Sequence, residues 1–232
     1  MTPSIELVKA EIISHLNKLH TIATATLSQS IKIFEDLDIE TAEQNMETAG
    51  DIEILHHTIE DMAFGAIAKF SPQDVDLRRL VAYIHTSGGL HAVGRYAYKI
   101  MEIVTLSDGL DHFKDLVTLP YLSELAVTAL SISIRAILKE DLSEIDELEK
   151  IEAQSDNEAT EMFQEIATHL NNRRDISNIA MLYVIVGRYF ERAADQAISI
   201  GESAIYLVKG ERKKLGLAYK GVEDLSDLLL DI

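Results

Sequence analysis

Apolar residues recur along this chain at spacings of three and four rather than two. Ile5, Val8, Ile12, Leu19, Ile22, Leu27 and Phe34 form one such stripe, the mark of a long amphipathic helix whose core-facing side chains repeat once per turn. Asp36 to Asp38 interrupt it, and a second helix is predicted over 39–70, with Met46, Ile52, Leu55, Ile59, Met62, Ala66 and Ile67 on its inner face. Ser71 and Pro72 read as a start signal, Ser capping free amides and Pro filling the first helical position, so a third helix is expected from about 72 to 106. Asp108 and Gly109 then make a turn, and the pattern begins again. A fourth helix is predicted within 110–139, where Pro120 either starts or kinks it. A fifth spans 142–170, and a sixth runs over 176–209 and closes at Gly210.

The predicted architecture is therefore all-α: six long helices arranged as two tandem antiparallel three-helix bundles, an internal repeat. Short turns force long amphipathic neighbours to lie antiparallel and bury their stripes together. The expected units are 1–107, 108–210 and a tail, 211–232, in which a charged cluster, Glu211 to Lys214, precedes the apolar end LSDLLLDI. The tail either packs on the body or a partner, or is disordered.

Composition narrows the function. With 11 Gly and 3 Pro in 232 residues, long helices meet few breakers. A net charge of −18 disfavours nonspecific binding to nucleic acid and to anionic lipid surfaces. The chain has no Cys, which removes disulfides, thiolate metal sites and cysteine nucleophiles. No secretory signal stands at the N-terminus, and the longest uninterrupted apolar run, IAMLYVIV (179–186), is far short of the roughly 18 residues of a membrane span. A cytoplasmic location is the expectation. Glycine-rich phosphate loops, Gly-x-Ser-x-Gly elbows and His-Glu-x-x-His are all missing, so an enzyme would have to rest on acidic clusters.

Those clusters differ between the halves. In the sixth helix Glu191 and Asp195 stand at i and i+4 and share a face, and the fifth helix repeats that spacing at Glu152 and Asp156. Packed antiparallel, the two pairs converge into an all-oxygen patch whose repulsion a divalent or iron cation (Mg, Ca, Mn or Fe before Zn) relieves. Against this stands the ordinary reading, a solvated acidic face with Arg188 and Arg192 as salt-bridge partners. In the first half, Glu53, His56, His57, Glu60 and Asp61 cluster on the second helix, with His91 and Arg95 on the third. Glu53, His56 and His91 are its candidate metal ligands, whereas an ion-pair network in which Arg95 supplies the positive charge is the favoured alternative. Glu53 and His56 form a single Glu-x-x-His, half of what a ferritin-like di-iron site requires.

The chain resembles the PhoU family, built from two repeated three-helix bundles. Pro72 followed by Asp76, Leu77 and Arg78 is similar to the family's turn between its second and third helices. From there the family's Glu-Arg-Ile-Gly-Asp motif falls on His91, Ala92, Val93, Gly94 and Arg95, with both acids replaced. In the second repeat it falls on Glu191, Arg192, Ala193, Ala194 and Asp195, with both acids kept. The family's paired acids fall on Glu152 and Asp156 in one half, and on Ala49 and Glu53 in the other. The resemblance spans about 5–211. It implies a non-enzymatic, often homodimeric negative regulator of phosphate uptake, associated at the membrane with an ABC-type phosphate transporter and, in many bacteria, a sensor histidine kinase. It also implies that iron or zinc clusters sit on the acidic faces of some members. Two other readings stand beside it: a PhoU-like regulator of a different transport system, and a ferritin-like carboxylate-metal enzyme.

Overall fold

Residues 4–216 are described by a computed structural model. Helix α1 (Ile5–Asp36) opens at Ser4, whose side chain accepts from the Leu7 amide, and closes at Leu37 in the left-handed conformation. Asp38 then caps α2 (Ile39–Met46), its Oδ1 accepting from the Thr41 amide at 3.0 Å. The predicted 39–70 helix is one rod with a single interruption. Glu47 keeps helical angles (φ −62°, ψ −28°) between α2 and α3 (Thr48–Phe70).

The start of α4 (Asp74–Val104) differs from expectation. Pro72 bars residue 71 from the right-handed helix, and Ser71 instead turns left-handed (φ 47°, ψ 51°) and donates its amide to Ile67 O, ending α3 rather than capping α4. Extended Gln73 precedes α4 without a side-chain cap. A second difference follows the Asp108–Gly109 turn, where 105–117 stays non-helical and α5 (Thr118–Lys139) is shorter than predicted. Pro120 lies in its first turn, where the missing N–H had no helical partner to lose.

That connection is nonetheless well anchored. His112 Nε2 lies 3.1 and 3.0 Å from Phe34 O and Glu35 O, two carbonyls at the end of α1. Since a carbonyl only accepts, Nε2 carries the proton, and Nδ1 accepts from the Tyr183 hydroxyl at 2.7 Å. Phe34 and Tyr183 pack their rings against it, and Phe113 stacks on Tyr183.

Helix α6 (Ile145–Asn172), a short 3₁₀ turn (Arg174–Ile176) and α7 (Ser177–Lys209) complete the second bundle, and Gly210 (φ 73°) caps α7 as predicted. The first bundle is α1, α2–α3 and α4; the second is α5, α6 and α7. They share one hydrophobic core because α4 packs on α7 and α1 on α5. Four inner helices thus form the centre, with α2–α3 covering one side and α6 the other. At one end Arg79 joins the halves, meeting Glu140 at 2.5 and 3.2 Å and Asp76 at 3.0 Å, while Asp76 also accepts from Lys9 at 2.8 Å.

By length and composition α5 is apolar enough to cross a membrane, although polar residues break its apolar positions into short runs. More than half of that stretch is buried inside the protein, packed on α1, α6 and α7. Leu215, at the start of the predicted tail, is also buried, near Gly201 of α7. The remainder of the tail, 217–232, lies outside the described residues.

Candidate functional site

Both candidate clusters lie where an outer helix packs on an inner one: α6 on α7 in the second bundle, α3 on α4 in the first. Amphipathic α6 buries Leu148, Ser155, Ala159, Met162 and Ile166, which carries Asp156 toward the α7 face that bears Glu191 and Asp195. The three carboxylates feel one another. Burial pushes Glu191 above the usual carboxylate range, opposed by Arg188 and reinforced by Asp156 and Asp195. Burial and then the Asp156 charge push Asp195 up as well. Asp156 is raised by lost hydration and relieved by Arg188. As whole residues Asp156 and Asp195 are exposed, so water on their outer side softens the repulsion.

Arg188 Nη1 lies 3.0 Å from both oxygens of Glu191, the salt bridge foreseen as the ordinary reading. Arg192 instead lies over the Tyr189 ring at 5.9 Å. Glu152, on the same face of α6, is buried (6% exposed) and has its carboxylate against Gly216. Gly216 has φ 92°, and a Cβ there would stand 2.4 Å from Glu152 Oε2, so glycine alone satisfies both the backbone and the space. Neither Gly216 nor its contact had any signal in the sequence.

In the first bundle the His56 and His91 rings stack at 4.7 Å with an angle of 12°, and the His57 ring lies 5.4 Å from that of His56. His56 Nδ1 is 2.6 Å from the hydroxyl of fully buried Ser87, and its Nε2 is 3.4 Å from Glu60. Burial lowers the pKa of both stacked histidines; Glu60 and Glu53 partly restore that of His56, while His56 and Arg95 depress that of His91 further. Glu53 is exposed one turn before His56. Among the described residues, Arg95 has no salt-bridge partner, so the predicted Glu53–Arg95 network is not formed. Arg95 is exposed, and its charge acts on His91. Ser87 was missed because a serine inside an apolar helical stripe carries no positional signal.

The fold and these two faces define a class: tandem three-helix bundles sharing a core, with polar patches set between outer and inner helices. The PhoU domain family matches residues 16–104 and 119–204, one copy per bundle. The chain belongs to the PhoU family. It is 23% identical to the phosphate-specific transport system accessory protein PhoU homolog 1 of Thermotoga maritima over 215 residues, covering 92% of each chain. It is 26% identical to the phosphate-specific transport system accessory protein PhoU of Serratia marcescens over 205 residues, covering 88% of this chain and 82% of that one. The fold is shared with the crystal structure of the phosphate transport system regulatory protein PhoU from Streptococcus pneumoniae, with a TM-score of 0.82, 22% identity, and 91% and 100% of the two chains covered.

Proposed function

We propose that this protein is an accessory regulator of phosphate uptake that acts by binding, not by catalysis. The observation that carries this reading is that both bundles match the family and that full-length relatives are phosphate-transport accessory proteins. Its partners are the subunits of an ABC-type phosphate transporter and a sensor histidine kinase; it works in the cytoplasm, at the membrane surface through those partners, as a homodimer. Regulation needs only a difference in affinity between two states of a partner, which shifts the partner's equilibrium without any chemistry. The protein thereby restrains uptake when phosphate is plentiful.

In the same reading, Asp156, Glu191 and Asp195 hold a hard divalent or iron cation between α6 and α7. Three oxygen donors raised by burial, and at Glu191 and Asp195 by a neighbouring carboxylate as well, suit such an ion. Arg188 occupies the role of counter-cation and would have to release Glu191. A bound ion would supply positive charge that ties the two helices together.

Pull-down of the tagged protein from cells grown at high and low phosphate tests the partner assignment. Transporter or kinase subunits should co-purify in a phosphate-dependent manner. Their absence under both conditions would refute it. Elemental analysis of the protein as purified, set against a variant carrying Glu191→Ala and Asp195→Ala, tests the ion separately; unchanged metal content in the variant would move the site elsewhere.

A further inference from the structure

Among the described residues, the acidic patch does not bring three ligand atoms within 4.8 Å of one another. Among the described residues, the set of three ligating side chains whose donor atoms all lie within 4.8 Å of one another is His56, His57 and Glu60 on α3. We propose that these residues form a second, separate metal site, selective for a borderline divalent ion of the zinc type, on the outer face of the first bundle. The proposal is independent of the phosphate-uptake reading and concerns different side chains from the carboxylates of the second bundle.

Helical spacing accounts for the convergence. His56 and Glu60 are separated by one turn and point to the same side, and His57 flanks them on the next position round the helix. Zinc binds His nitrogen and carboxylate oxygen at about 2.0–2.2 Å, so two ligands in a tetrahedral shell lie roughly 3.3 Å apart. His56 Nε2 and Glu60 Oε2 are 3.4 Å apart. His57 is exposed and needs only a side-chain rotation to close the set. Two imidazoles and one carboxylate are a donor set that zinc and cobalt prefer over magnesium or calcium, and it leaves a position open for water or for a group from a partner.

Two neighbours hold the His56 ring in place. Ser87, fully buried on α4, meets Nδ1 at 2.6 Å. When that nitrogen donates its proton to the hydroxyl, Nε2 presents its lone pair toward Glu60, the support that metal-bound histidines commonly receive from a second group. The His91 ring, stacked at 4.7 Å, fixes the plane from the other side. Glu53 plays no part in the set, and the motif positions of α4 contribute the wall and not the ligands.

The experiment uses the full-length protein, stripped with a chelator and titrated with Co²⁺ while visible absorption is recorded, followed by competition with Zn²⁺. One equivalent of Co²⁺ should give d–d bands that Zn²⁺ abolishes. His57→Ala, at an exposed position and so without consequence for folding, should weaken binding at least ~10-fold, and Ser87→Ala should weaken it by about 10–100-fold as a positioning residue. Glu124→Gln, at an exposed position on α5 outside both clusters, should leave the bands unchanged. Far-UV circular dichroism checks that each variant is folded. Absence of Co²⁺ bands in the wild type, or binding that survives His57→Ala at wild-type affinity and so reports an adventitious ion only, would overturn the proposal.

Discussion

A methyl group added to Gly94 would land 2.6 Å from Ile52 Cδ1 and 2.9 Å from its Cγ2, in the crossing of α4 over α3 one turn from the His56 cluster. Ile52 is 1% exposed and β-branched, with little freedom to move aside. Overpacking of this kind costs about 1–3 kcal/mol, whereas Gly to Ala inside a helix returns about 1 kcal/mol. Gly94→Ala should therefore destabilise the protein by up to about 2 kcal/mol. Gly187→Ala is the control. Its methyl would meet Met162 Cε at 2.5 Å, the free end of a flexible side chain, and the next atom is Leu119 Cδ2 at 3.6 Å. That variant should keep most of the helix-propensity gain and be neutral or stabilised by up to about 1 kcal/mol. Urea unfolding followed by circular dichroism, at one fixed protein concentration, separates the two as opposite shifts in midpoint with unchanged slope. Ile52→Val, which removes the Cδ1 carbon, should cost about 0.5–1.5 kcal/mol alone and much less in the Gly94→Ala background. Equal tolerance of the two glycine substitutions, or a double-mutant cycle without coupling, would refute the claim that Ile52 sets this helix approach. The repeat offers a parallel: the motif position of Gly94 is Ala194 in the second half, and the position of Ile52 is Ser155, so a large–none pair in one bundle corresponds to a small–small pair in the other.

Three further outcomes follow from the polar contacts. His112→Ala should destabilise the protein by about 1–3 kcal/mol by taking away the acceptor of the Tyr183 hydroxyl and the side-chain donor at the end of α1, and hydrogen exchange should show faster opening of 105–117; unchanged exchange there would count against its anchoring role. His20, half-buried with no partner for its buried Nε2, has a pKa held below its ordinary value by lost hydration. The unfolded chain then takes up the proton more readily, so stability is complete above about pH 6.5 and falls as the pH drops from there toward the folded-state value; His20→Leu should flatten that part of a melting-temperature profile, and an unaltered slope would exclude it as the source. The carboxylates of the second bundle have the opposite sign. Their raised values mean that protonation relieves the folded state, so Glu191→Gln should raise the melting temperature near pH 7 in the presence of chelator, and a decrease would show that the Arg188 pair outweighs burial and repulsion.

The amphipathic stripes alone determined the helices, their order and the duplication, because burying a repeat of 3.6 residues leaves a chain with short turns little choice but antiparallel bundles. The Gly210 cap and the turn at Gly109 were legible for the same reason: local backbone chemistry decides them. The start of α4 was not, since Ser71 and Pro72 carry a start signal in isolation, and the outcome turned on Ser71 closing the preceding helix. Spacing also put Glu191, Asp195 and Asp156 on facing surfaces, but could not show that Glu152 turns to Gly216, a contact between residues 64 positions apart. In the first bundle the histidine cluster was visible as a run of polar residues, yet its geometry depended on Ser87 and His91 from another helix. Arg95 was expected to pair with Glu53, and among the described residues no salt bridge joins them. Periodicity determines which face of a helix a side chain occupies; only the rotation and depth of one helix against the next decide which side chains on those faces come within bonding distance.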